Sequence, residues 1–354
     1  MKELQKNEMS SFSKKISLMR AIGAFLVIFI HSYNVKGYKI ESGMVFEMEY
    51  LISQNIARMA VPFFFMSSGF FSFIKERNTL DVYRKKLSTI VIPYLLWNIL
   101  YMVAFTALKQ LDIVPRGGQT THLWIMSIIK GVLLYEQNTT FWFMFQLILL
   151  NLIYPLFKVL LKNRYISIII LVVGITLYLL KGDFIPYDNI YIIGLSPFIY
   201  FFLGGILGKF YYKEIIEDNL FQKRNLINII SITLWLVTSM LIRYFDMSLE
   251  KTIGNIVIIR NISLVVFVFG IISFFENQNV KRIESVTFLI YALHPIILES
   301  IEKIIFLVLP HTSIIAAIDY LVAPVITLFI VMLVGKIWKR LFPKIYCIMV
   351  GQRS

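Results

Sequence analysis

Apolar runs of about 20 residues recur along the whole chain, and a run of that length matches the hydrocarbon thickness of a bilayer. Ten stretches are assigned as spans: 16–34, 50–74, 87–108, 140–161, 165–181, 190–210, 226–245, 253–275, 285–308 and 313–337. A chain that is 58% hydrophobic with a mean hydropathy of +0.74 is too apolar for a soluble protein of this size. The expected fold is therefore all-α: a polytopic integral membrane protein of about ten transmembrane helices. The stretch 123–134 is apolar but short and carries Lys130, so it reads as an interfacial or re-entrant helix.

The net charge of +14 would suit nucleic acid, but its distribution fits membrane topology better. With the N-terminus in the cytoplasm, 24 of the 35 Lys and Arg residues fall on the cytoplasmic side. An even number of spans then puts both termini inside. The first apolar segment follows Lys14 and Lys15 but is long and lacks a nearby small-residue cleavage site, so it is kept as a span. A single cysteine, Cys347, excludes an internal disulfide framework and a cysteine metal cluster. No polar linker divides the chain, which reads as one domain over 1–354 with a core of 14–345. No metal site is expected: HExxH and Cys/His clusters are absent. The glycines of FFLGGILGKF, 201–210, follow no strand and mark close helix packing rather than a nucleotide loop.

Polar residues inside the spans are the functional candidates, because ionisable groups in a bilayer are costly unless they face protein or water. Arg20 and His31 lie eleven residues apart in the first span, on nearly one helix face and about 16 Å apart along the axis. The pair reads as half of an active site; the bland alternative is a snorkelling flank arginine and a packed histidine. Arg58 lies in the outer half of the second span, at a depth similar to His31, where it supports a site or pairs with Glu47 or Glu49. Arg260 is a second intramembrane arginine: an anion contact, or a tie to Asp319, Glu299 or Glu302. In the ninth span His294 precedes Pro295, with Tyr291 and Glu302 on either side. His294 is a second acid or base, or a hydrogen bond at a proline kink. Trp142 and its neighbours suit an aromatic belt or the wall of a substrate site, and Glu136, Gln137 and Asn138 lie at the same outer mouth. His122 and His311 are expected in outer loops, exposed.

Six ordered pieces of the chain together resemble membrane acyltransferase family 3. These are Arg20 with His31, ARMAVPFFFMSSGFF at 57–71, RKKLSTIVIPYLLWNILY at 84–101, TFWFMFQLILLNLIYPL at 140–156, SPFIYFFLGGILG at 196–208 and SVTFLIYALHP at 285–295. The resemblance implies an O-acyltransferase of the plasma membrane, in a bacterium. It would move an acyl group, most often acetyl, from cytoplasmic acyl-CoA to a hydroxyl of an extracytoplasmic polysaccharide or cell-envelope glycan. It implies His31 as catalytic residue, either base or transient acyl carrier, with Arg20 and Arg58 as supports. Arg84, Lys85 and Lys86 become the coenzyme A contact, although Ser88–Val91 holds no arginine where many members carry one. Trp142, Arg260, Tyr291, His294 and Glu302 are assigned to substrate. Acyl-CoA is a co-substrate, not a resident cofactor; membrane lipid and the glycan acceptor are the other partners, and nucleic acid is not one. The alternatives are a transporter or export component, whose pathway also needs polar residues at mid-membrane depth, and a scaffold in which those residues merely pack.

Overall fold

The structure is a computed structural model that describes residues 2–34, 37–40, 42–110, 132–133, 138–182, 193–216, 224–245, 254–271 and 283–351. The described residues are helical, with no strand among them. Most of 123–134, together with His122, Glu136 and Gln137, lies outside them.

We number the principal helices in chain order. They are α1 (Lys2–His31), α2 (Met44–Phe73), α3 (Thr79–Ala107), α4 (Thr139–Leu152), α5 (Tyr154–Leu160) and α6 (Arg164–Lys181). After these come α7 (Leu195–Phe210), α8 (Arg224–Phe245), α9 (Val257–Ile271), α10 (Ile283–Val308), α11 (Ser313–Leu341) and α12 (Pro343–Met349). Five helices among the described residues are long and apolar enough to cross a membrane, and six if the bent pair α4–α5 is one span. That is fewer than the ten expected. Within the described residues α7 and α9 are shorter than a spanning helix. The chain is a helical membrane protein. One broad face of α6 is turned outward, with large apolar side chains such as Ile169, Val172 and Leu180 exposed, as a lipid-facing helix requires.

Proline sets the irregular points. Pro62 cannot donate to the carbonyl of Arg58. Just upstream, α2 widens into a π segment at Tyr50–Ile56 and then tightens into a 3₁₀ turn at Ala57–Met59. Such π segments gather at functional sites, because they rotate the side chains away from the regular helical face. Pro93 has the same relation to the π segment Leu87–Val91 of α3. Pro155 follows the break at Ile153, where α5 leaves α4 at 62°.

The tightest packing joins α2 to α7, and glycine makes it possible. A Cβ on Gly204 would stand 1.9 Å from the Met66 carbonyl oxygen, and one on Gly69 would stand 2.0 Å from that of Phe201. The backbones therefore approach as closely as small residues allow, as the sequence led one to expect for 201–210. Around this pair, α1 packs on α2 and α10, α8 on α9, and α10 on α11. The core is strongly aromatic: Phe65, Phe70, Phe141, Phe157, Phe201 and Trp97 are almost fully buried.

Candidate active site

The last turn of α1 delivers His31 to the side of α10, where its ring centroid lies 5.1 Å from that of His294. His31 is accessible, whereas His294 is fully buried. Pro295 explains how His294 is held. It leaves the carbonyl of Tyr291 without its helical donor, and Nδ1 of His294 stands 3.0 Å from that oxygen and 3.0 Å from the Ile290 oxygen. Carbonyl oxygens only accept, so in the neutral ring Nδ1 carries the proton and Nε2 keeps its lone pair. Nε2 is buried without a hydrogen-bond partner. The kink hydrogen bond and the acid/base candidacy, alternatives in the sequence, are thus two nitrogens of one ring.

Tyr291 supports the same wall. Its ring stacks on Phe141 at 5.7 Å and meets Phe143 edge-on at 5.7 Å, and its hydroxyl donates to the Thr140 carbonyl. Asn138 starts that segment by accepting from the Thr140 backbone N–H at 3.1 Å. Trp142, between these two phenylalanines in sequence, points elsewhere: it is 39% exposed and leans on Phe65.

The 3₁₀ turn of α2 supplies one charge, Arg58, and α9 the other, Arg260. Arg58 donates from Nε (3.1 Å) and a terminal nitrogen (2.8 Å) to the Gln54 amide oxygen, and its guanidinium lies within electrostatic reach of His31 and of Arg260. Of the two carboxylates expected beside Arg58, Glu47 is bonded by Arg243. Arg260 is buried on α9 and donates to the Asn55 amide oxygen at 2.8 Å, with Asn261 at 3.4 Å. Two of the three carboxylates expected to hold it are engaged elsewhere: Asp319 accepts from Asn34 (3.1 Å) and Tyr38 (3.2 Å), and Glu299 pairs with Lys303. Adjacent neutral amides, Gln54 and Asn55, each accept from one of the two arginines. Gln54 and Asn55 were not singled out in the sequence, though the downstream Pro62 was a usable signal.

Other assigned residues lie apart. Arg20 shares α1 with His31 but turns to α2, donating from Nε to Ser67 Oγ at 3.2 Å and lying 5.3 Å from the Phe71 ring centroid. Arg84 and Lys85 are exposed and Lys86 half-buried on the first turns of α3, which follow the end of α2 opposite Arg58. Glu302 lies about 12 Å along α10 from His294, in a second polar cluster with Asp319 and Glu49. In that cluster Tyr38 sits in the loop after α1, where burial and then Asp319 push its hydroxyl up to about 12. No group of His, Cys, Asp and Glu among the described residues could hold a metal ion.

An accessible imidazole backed by a buried ring acceptor and flanked by guanidinium charge has the parts that acyl transfer uses, a base and an electrostatic support for a developing oxyanion. No curated protein and no solved structure matches the chain. The acyltransferase domain model of acyltransferase family 3 matches residues 13–336, nearly the whole length, and the chain belongs to that family of membrane acyltransferases, enzymes that transfer acyl groups other than aminoacyl groups.

Proposed function

We propose that the enzyme moves an acetyl group from cytoplasmic acetyl-CoA to a hydroxyl of an extracytoplasmic polysaccharide or cell-envelope glycan, in the plasma membrane of a bacterium, with His31 as general base. The observation that carries this reading is the accessible His31 ring beside the buried, unpartnered Nε2 of His294. Two imidazoles joined by one N–H···N bond have centroids about 5 Å apart. A small rotation of His31 would let its N–H donate to His294 Nε2, leaving the other nitrogen as a lone-pair base on the accessible side of the ring.

In the reaction His31 takes the proton of the acceptor hydroxyl as that oxygen attacks the thioester carbonyl. Arg58 supports the oxyanion, and Arg260 adds positive charge behind it. The intermediate collapses by breaking the C–S bond, and the departing thiolate takes the proton from the His31 imidazolium. The ester, free coenzyme A and neutral His31 result, with atoms and charge balanced. Arg84, Lys85 and Lys86 would meet the phosphates of coenzyme A at the cytoplasmic rim, and both termini would lie on that side. Tyr291 and Glu302 would contact the acceptor along its path outward. Membership in an acyltransferase family favours transfer over transport. Proteoliposomes given labelled acetyl-CoA on one side test this: label is expected in a glycan acceptor on the other. Passage of an unmodified sugar without acetyl-CoA would instead favour a transporter.

A further inference from the structure

At the end of the bundle away from His31, a pocket of about 470 Å³ opens between the end of α2, the short helix α5 and the end of α7. Four lysines line it, Lys75, Lys158, Lys162 and Lys209, against one acid, Glu76. Glu76 is bonded to Lys209 at 2.6 Å, and this bond holds its carboxyl below the usual range. The pocket is thus built for an anion. A volume of this size suits a small charged group with part of its attached chain.

Two features decide which anion. The floor is closed: Phe73 stacks on Tyr154 at 4.9 Å, with buried Phe157 beside them. A donor seated here would meet this aromatic packing on the side toward the bundle, and Arg58 is already about 22 Å of helix from Phe73. The side of the pocket is apolar and outward-facing. After the 62° bend, α5 buries Tyr154 and Phe157 and presents Leu156 and Val159 (57% exposed) next to Lys158 and Lys162. Lysines beside exposed aliphatic side chains on an oblique helix match a headgroup phosphate and the first part of its acyl chains.

We propose that this pocket binds the headgroup of an anionic phospholipid, with Lys158 and Lys162 on the phosphate and the acyl chains over Leu156 and Val159. This site is separate from the His31 chemistry and stands whatever the transferred group is. Its test uses the full-length protein in nanodiscs of phosphatidylcholine with graded phosphatidylglycerol, followed by native mass spectrometry of retained lipid. Phosphatidylglycerol is expected to be retained in preference to phosphatidylcholine. The double variant Lys158→Gln/Lys162→Gln should lose about tenfold or more of that preference, since each lysine near a lipid phosphate contributes appreciably. Glu76→Gln should raise retention severalfold, because it removes the one acid among the described lining residues and its bond to Lys209. All three residues are exposed, so these variants are expected to fold. Equal retention of the two lipids, or a double variant that binds like the wild type, would overturn the proposal. So would displacement of the lipid by millimolar pyrophosphate or coenzyme A, which would make the pocket a site for a soluble phosphate instead.

Discussion

His31 and His294, 263 positions apart in the sequence, meet with ring centroids 5.1 Å apart, one accessible and one fully buried. The buried ring has both its orientation and its tautomer fixed by the carbonyls of Ile290 and Tyr291, the second of which Pro295 frees. In this account His294 is a positioning residue: it orients His31 and does not touch substrate. His294→Ala should lower kcat by about 10²-fold with KM little changed, as expected for loss of oriented proton transfer. His294→Gln, whose side-chain oxygen offers an acceptor in place of Nε2, should recover part of that loss. Steady-state kinetics on both variants decides the matter. A purely structural role would instead leave kcat intact in whatever fraction of either variant folds.

Arg58 is held as a fork on a single amide oxygen, that of Gln54. Removing its charge with Arg58→Ala should cost about 10²–10³ in kcat, the size of losing one oxyanion donor. Gln54→Leu leaves the charge but removes this acceptor from the guanidinium, so a loss of about tenfold is expected, mostly in kcat. Arg58→Lys should not restore full activity, because an ammonium lacks the planar two-point geometry. Equal kinetics for Arg58→Ala and wild type would remove Arg58 from the reaction.

Asn55 is the neutral partner of a buried cation, at 2.8 Å from Arg260. Asn55→Leu would leave the guanidinium short of an acceptor in a buried setting, a loss on the order of 2–3 kcal/mol. Thermal unfolding in detergent should therefore shift down by several degrees, and the double variant Asn55→Leu/Arg260→Met should regain part of that stability. Strict additivity of the two single changes would show that the pair is not coupled.

The α2–α7 contact depends on the missing side chain at position 204. In Gly204→Ala the new methyl would meet the Met66 carbonyl at 1.9 Å, so the helices must separate. Overpacking of this kind costs about 1–3 kcal/mol, and a lowered unfolding temperature is expected. Gly37→Ala, whose new methyl would approach only the Asn34 carbonyl, at 3.3 Å, serves as the control and should change little.

The positions of the long apolar helices were legible because hydropathy directly reports the length of chain that lipid can accept; residues 165–181 and 226–245 fall almost residue for residue on α6 and α8. His31, Arg58, Tyr291 and His294 were legible because polar groups stand out in apolar runs. Their partners were not. The bond from Arg260 to Asn55 joins residues 205 apart, and nothing in either local sequence prefers an amide to the available carboxylates. Periodicity assumes a regular helix, so it also misplaces side chains in the π segment Tyr50–Ile56, where the backbone departs from 3.6 residues per turn. Arg20 illustrates the converse. Its spacing from His31 put both on one face, yet α1 is crossed by two helices, and Arg20 meets α2 while His31 meets α10.

The central claim is that His31 is the base for acyl transfer, and the most direct measurement compares wild type with His31→Ala in proteoliposomes supplied with radiolabelled acetyl-CoA and a glycan acceptor. The account predicts label in the acceptor with the wild type, and a fall of at least about 10²-fold in the variant, with no label on the protein itself in either. Full transfer by His31→Ala would contradict it.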